Sequence, residues 1–196
     1  MSNPYPTAEP QLAPALEAAQ WFNTTEPISL DQLRGQGVVI EAFQMLCPGC
    51  VGQGLPQAVR VRETFHQRDV TVLGLHSVFE HHDAQTPTSL EAFLHEYRIG
   101  FPVAVDAPGM TSGMPRTMAA YRMRGTPTLI LIDRRGQLRA QYFGHVSDLR
   151  LGAEIMALIA EAGDGLPAID SERDGHAKGC DHDGCAVELG DEGPQA

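Results

Sequence analysis

Two cysteines separated by Pro-Gly, Cys47-Pro48-Gly49-Cys50, follow directly on the apolar run Val38 to Leu46. A C-x-x-C pair at the end of a β-branched strand, with a segment able to turn helical behind it, can open and close a disulfide. With Cys47 as helix N-cap, Pro48 falls at the first helical position, where its fixed φ suits the turn and its missing N–H is not needed. The Cys47 sulfur then faces free backbone amides and the positive end of the helix dipole, which favour thiolate over thiol. Cys47 is therefore the attacking thiol. Cys50, about one turn later and buried under it, resolves the mixed disulfide. C-x-x-C can also be half of a zinc site, but zinc needs a second ligand pair at workable spacing and no second C-x-x-C exists.

Glu41 is conspicuous in the same way. It interrupts an otherwise apolar strand whose pattern is that of a central parallel strand buried on both faces. A buried carboxyl there rises in pKa and can accept and return the Cys50 proton during exchange, whereas on a solvated edge it has no role. The tail holds a second pair, Cys180 and Cys185, with His176 and His182 nearby. Three readings of it stay open: inert, an electron shuttle for Cys47-Cys50 on a flexible tether, or a zinc or copper site. Glu80, His81 and His82 form a polar cluster in the segment 77–88, either plain surface or a wall for substrate or metal capture.

The elements that must position these groups follow from periodicity. Strands are predicted over 38–43, 70–76, 101–105 and 129–133, with 134–136 as a hairpin turn and 137–143 as the return strand. A helix runs from Cys50 to about His66, weakened by Gly52 and Gly54 and kinked at Pro56. Its crossover makes strands 38–43 and 70–76 parallel, so the loop 77–88 emerges beside the dithiol. Further helices are predicted over 89–99, capped by Thr88 or Ser89, from Pro115 to about Arg122, and over 147–162. Trp21 to Asn23 and Ile28 to Gly35 read as a strand or hairpin leading into the core. Met110, Met114, Met118 and Met123 are mostly core filler, with the wall of an apolar groove near Thr126-Pro127 and a copper-binding cluster as the alternatives.

With 196 residues and 42% hydrophobic content, the chain suits one domain with an appendage. The formal charge of −11 is concentrated at the end: from Glu161 on, ten acidic residues face Arg173 and Lys178, which is −8 and leaves −3 for the rest. No basic footprint supports a nucleic-acid partner, and the acidity describes a solvated tail. The first residues contain neither a signal-peptide pattern nor a membrane span, which gives a cytoplasmic location as the expectation, without a membrane partner. The domain reading is a flexible extension over 1–13, a folded domain over 14–163 and a disordered acidic, Gly-rich tail over 164–196.

The dithiol stretch resembles the thioredoxin superfamily, in particular its TlpA-like and redoxin (AhpC/TSA-type) branch. Cys47-Pro48-Gly49-Cys50 matches the active-site motif, Glu41 takes the place of the buried acid six residues before the first cysteine, and Gly125-Thr126-Pro127-Thr128 looks like the cis-proline loop. The resemblance implies an α/β thioredoxin-like fold with a central mixed sheet flanked by helices. It implies thiol-disulfide exchange with protein or small-molecule disulfides and thiols, with Pro127 cis and facing Cys47. Thr126, with Pro48 and Gly49, would line the docking site. No organic cofactor is implied, because the dithiol itself carries two electrons. Two rivals are a thiol peroxidase, disfavoured because Gln44 and Ile40 stand where peroxidases of this branch carry Thr or Ser and Pro, and a metal carrier without turnover. The Pro-Gly order resembles oxidising members, while a cytoplasmic address favours reduction, so the direction of transfer stays open.

Overall fold

The stretch Gly37–Phe43 contains seven consecutive buried residues, and a strand buried on both faces must lie inside a sheet with layers on either side. In the computed structural model, which describes residues 11–110 and 113–161 together with the backbone of 180–181 and 184–185, this stretch is the second strand, β2. The others are β1 (Ala18–Phe22), β3 (Val70–His76), β4 (Val103–Asp106), β5 (Thr128–Ile132) and β6 (Leu138–Phe143). They form a six-stranded sheet in the order β1-β4-β3-β2-β5-β6. Strands β2, β3 and β4 run parallel, and β1, β5 and β6 are each antiparallel to their neighbours. The carboxyl ends of the parallel strands therefore share one edge, as the crossover rule requires.

Period-two alternation splits β2 between two cores. Val39 and Phe43 face a cluster that includes Leu55 and Val61 of α1 (Leu55–Thr64), Leu90 and Leu94 of α2 (Pro87–Glu96), and Leu151 and Ile155 of α4 (Asp148–Ala160). Val38, Ile40 and Ala42 face Leu73, Leu75 and Met118, the last on α3 (Arg116–Ala120). Each fully buried Val, Ile or Phe contributes roughly 1.5–3 kcal/mol, so this strand, with Val38, Val39, Ile40 and Phe43 buried, is a main anchor of the sheet. Glu41 has the parity of Val39 and Phe43, and alternation directs it toward the α1 side.

Asp106, at the end of β4, ties the second face together. Its Oδ1 accepts from the Thr117 N–H at 2.8 Å, and its Oδ2 accepts from the Met118 N–H at 3.0 Å and from the Ser77 hydroxyl at 2.9 Å. The start of α3 is thereby fastened to the ends of β3 and β4, and α3 leads into the loop that carries Pro127.

Several local expectations are corrected. The first strand pairs with β4 at the sheet edge, and residues 30–35 form hydrogen-bonded turns, not a hairpin arm. The helix after the dithiol departs from regularity before Pro56, in a π-helical turn over Cys50–Gly54, and Pro56 sits harmlessly in the first turn of α1. Thr86, not Thr88 or Ser89, caps α2, accepting from the Ser89 N–H at 3.2 Å ahead of Pro87. Met118 and Met123 are core, whereas Met110 and Met114 are exposed. Residues 11–13 are tied to the β5–β6 hairpin through Ala13 N–H to Gly136 O and Leu138 N–H to Gln11 O.

The chain divides into compact units at Met1–Asp164 and Gly165–Ala196. In the second, the two-residue strands β7 (Cys180–Asp181) and β8 (Gly184–Cys185) pair with Cys180 opposite Cys185. Among the described residues no helix is long and apolar enough to cross a membrane.

Candidate active site

Strand β2 ends at Phe43, a turn covers Met45 and Leu46, and helical backbone begins at Pro48. Cys47 thus occupies the N-cap position. The Cys50 N–H points at Cys47 Sγ at 3.2 Å, the contact an N-cap acceptor makes with the third helical residue. Both cysteines are free thiols, Cys47 partly exposed and Cys50 fully buried. Burial pushes the Cys50 thiol up to about 12, and the Cys47 sulfur adds to the push; the Gln44 backbone amide and the Thr126 side chain pull the other way. One sulfur is open to a partner and the other is held as a protonated reserve.

The structure brings Pro127 and Thr126 to this pair. The Thr126-Pro127 bond is cis, and the Cys47 thiol points at the Thr126 carbonyl at 3.6 Å. A Cβ placed on Gly49 would lie 3.3 Å from Pro127 Cδ, so the Pro48-Gly49 turn and the proline loop are in direct apposition. Among the described residues no hydrogen bond uses the Thr126 N–H, leaving a donor free beside the Cys47 sulfur.

Glu41 lies beneath the same turn, 1% exposed, and its Oε1 has no hydrogen-bond partner among the described residues. Burial raises its carboxyl from 4.5 to about 8. The carboxyl fits because Gly54 has no side chain: a Cβ there would sit 2.1 Å from Glu41 Oε1 and 3.2 Å from Pro127 Cβ.

The loop after β3 also reaches the site, through Gln44. The Gln44 side-chain oxygen accepts from Gln85 Nε2 at 2.9 Å and from the Phe79 N–H at 3.4 Å, and its Nε2 donates to Glu80 Oε1 at 3.4 Å. His76, buried beneath this loop, is lowered to about 4 by desolvation and is neutral at physiological pH. His81 and His82 are exposed. Among the described residues no three His, Cys, Asp or Glu side chains gather to hold a metal ion. The side chains of Cys180, His182 and Cys185 lie outside the described residues.

Periodicity alone missed Gly54, Gln44 and Gln85. Gly54 reads as a weak helical position; the signal available was a glycine one turn past Cys50 with an acid in the strand below. Gln44 interrupts the apolar run just ahead of the dithiol, but its partner Gln85 is forty-one residues away and shares no local pattern with it.

An open thiol capping a helix, a sealed thiol one turn on and a cis-proline across from them, on a sheet of this order, define the class of thioredoxin-like thiol-disulfide oxidoreductases. Comparison with known proteins agrees. A solved thioredoxin-like superfamily protein is 62% identical over 78% of this chain and 98% of its own, with a TM-score of 0.76. A thiol-disulfide isomerase from Corynebacterium glutamicum is 48% identical over 76% of this chain and 97% of its own, with a TM-score of 0.72. The thiol-disulfide oxidoreductase ResA of Halalkalibacterium halodurans is 24% identical over 134 residues, 68% of each chain. The AhpC/TSA family matches residues 10–141, and the chain belongs to that family.

Proposed function

We propose that Cys47 is the exchanging nucleophile, Cys50 the resolving thiol, Glu41 the proton relay, and the Thr126-Pro127 loop the docking strip for a protein thiol or disulfide. The carrying observation is the asymmetry of the two sulfurs: Cys47 is partly open and accepts the Cys50 N–H at 3.2 Å, while Cys50 is sealed. As a reductant, the Cys47 thiolate attacks a substrate disulfide, a new S–S bond forms, and the departing sulfur leaves as thiolate and takes a proton. Cys50 then gives its proton to ionised Glu41 and attacks Cys47 Sγ, releasing the second substrate thiol and leaving Cys47-Cys50 oxidised. Run backwards, protonated Glu41 returns the proton to Cys50. A carboxyl near 8 is present in both forms around neutrality, which suits a relay used in both directions.

An extended substrate segment pairs with the free Thr126 N–H and passes its sulfur over Cys47, so main-chain bonds supply affinity for many sequences. The dithiol holds the two electrons and the reading calls for no organic cofactor. The test is trapping. Cys50→Ser, offered a peptide disulfide, should accumulate a Cys47-linked mixed disulfide as the peptide's other sulfur leaves as thiolate, stable to gel analysis and released by reductant, while Cys47→Ser accumulates none. Equal trapping by both variants would overturn the assignment of roles.

A further inference from the structure

Phe143 ends β6 and is 51% exposed, in a chain whose large apolar side chains are mostly core. It lies beside the docking strip. Phe143 is the register partner of Thr128, and the next residue, Gly144, donates its N–H to the Pro127 carbonyl at 2.9 Å. Its ring covers the backbone just before Thr126: a Cβ on Gly125 would meet Phe143 Cε2 at 2.9 Å. Arg124 is stacked on that ring, Cζ 5.0 Å from the centroid. Arg124 is exposed and makes no ion pair among the described residues. A cation held over an aromatic face loses less freedom when it meets an anion, and Arg and aromatic side chains are the types that most often carry binding energy once a partner covers them.

The other flank is opposite in sign. The sheet order places β5 and β6 on one side of β2 and β3 on the other, and the loop after β3 presents Glu80, tied to Gln44. A substrate strand crossing the end of β2 therefore passes from a carboxylate to a guanidinium.

We propose that the Arg124–Phe143 ledge is a specificity subsite that selects protein thiols or disulfides with an acidic residue close to the reacting cysteine on the β6 side. The inference rests on the docking strip and Cys47 chemistry proposed above. Because Glu80 repels an acid on the opposite flank, the preference should be directional: an acidic residue on one side of the substrate cysteine helps and on the other does not.

The probes are cysteine peptides carried as mixed disulfides with thionitrobenzoate, with Glu, Gln or Lys two residues before or two residues after the cysteine. The reduced, full-length protein attacks the peptide sulfur, thionitrobenzoate leaves with its absorbance, and Cys50 then frees the peptide thiol, so two electrons pass from the dithiol to the probe. For one of the two placements the Glu peptide should react about three- to tenfold faster than the Lys peptide at low salt, as expected for a partly screened pair of charges. High salt should shrink that ratio. Arg124→Gln should bring it to about one, and Arg124→Lys should restore part of it. Charge-blind rates in the native protein, or a ratio that survives Arg124→Gln, would overturn the subsite while leaving Cys47 chemistry intact. No Cys47-dependent reaction with any peptide would overturn the proposed function, and the subsite with it.

Discussion

Glu41 offers a quantitative test, because its chemistry and its cost to the fold share one origin. Desolvation raises the carboxyl from 4.5 to about 8, so the folded protein holds a proton that the unfolded chain has largely released by neutral pH. The sign follows from that. The native state binds more protons than the unfolded state between those two values, so stability must fall as pH rises through the window and level off above about 8. Glu41→Gln keeps the shape of the neutral acid and removes the titration. Its stability relative to the native protein should therefore grow by about 3.5 kcal/mol between about pH 5 and pH 8, at about 1.4 kcal/mol per unit of pH through the middle of the window. Any fixed penalty from burying the extra amide donors, about 1–3 kcal/mol, shifts the whole curve without changing its slope.

The assay is denaturant unfolding of both proteins in the reduced state across that pH range, kept below the ionisation of cysteine. A stability difference that stays flat with pH would refute the burial of an ionisable Glu41. In parallel, the resolving step of the native protein should accelerate as pH rises through about 8, when more Glu41 is ionised and able to take the Cys50 proton, and Glu41→Gln should lose that inflection while Cys47 still forms the mixed disulfide.

Two further outcomes follow from the same contacts. Gly54→Ala puts a methyl 2.1 Å from Glu41 Oε1, so it should destabilise by about 2–3 kcal/mol through overpacking and displacement of a buried polar group, measured by thermal unfolding, and Gly54→Ala combined with Glu41→Ala should cost less than the sum of the single changes. Asp106→Asn leaves one face of its side chain an N–H donor against backbone and hydroxyl donors, and should cost about 1–3 kcal/mol and slow exchange with peptides more than with a small disulfide, since α3 leads to the docking loop.

The parts of this protein that could be read from its residues are those in which a local pattern and a chemical requirement coincide. The dithiol, the strand beneath it and the acid in that strand are all short-range: alternation fixes the side of β2 to which Glu41 points, and the N-cap position of Cys47 follows from Pro48. Where contacts span the chain, periodicity fails. The residues predict the irregular turn later, at Pro56, because proline is the stronger local signal, yet the structure accommodates Pro56 in the first turn of α1, and the π-helical turn at Cys50–Gly54 falls where Glu41 needs space. Gln44 with Gln85, and Arg124 with Phe143, are pairs assembled only when β3 and β6 take their places on either side of β2 and β5. The second of these pairs is the one proposed above to distinguish one substrate from another. A C-x-x-C on a helix N-terminus exchanges electrons with any accessible thiol or disulfide; in the proposed subsite, what restricts the choice is the pair of loops the sheet order sets at its flanks, one carrying Glu80 and the other Arg124. The general chemistry of this chain is thus encoded locally and its selectivity by topology, so a variant that alters Arg124 should change which partner is served while the Cys47-Cys50 couple keeps its potential.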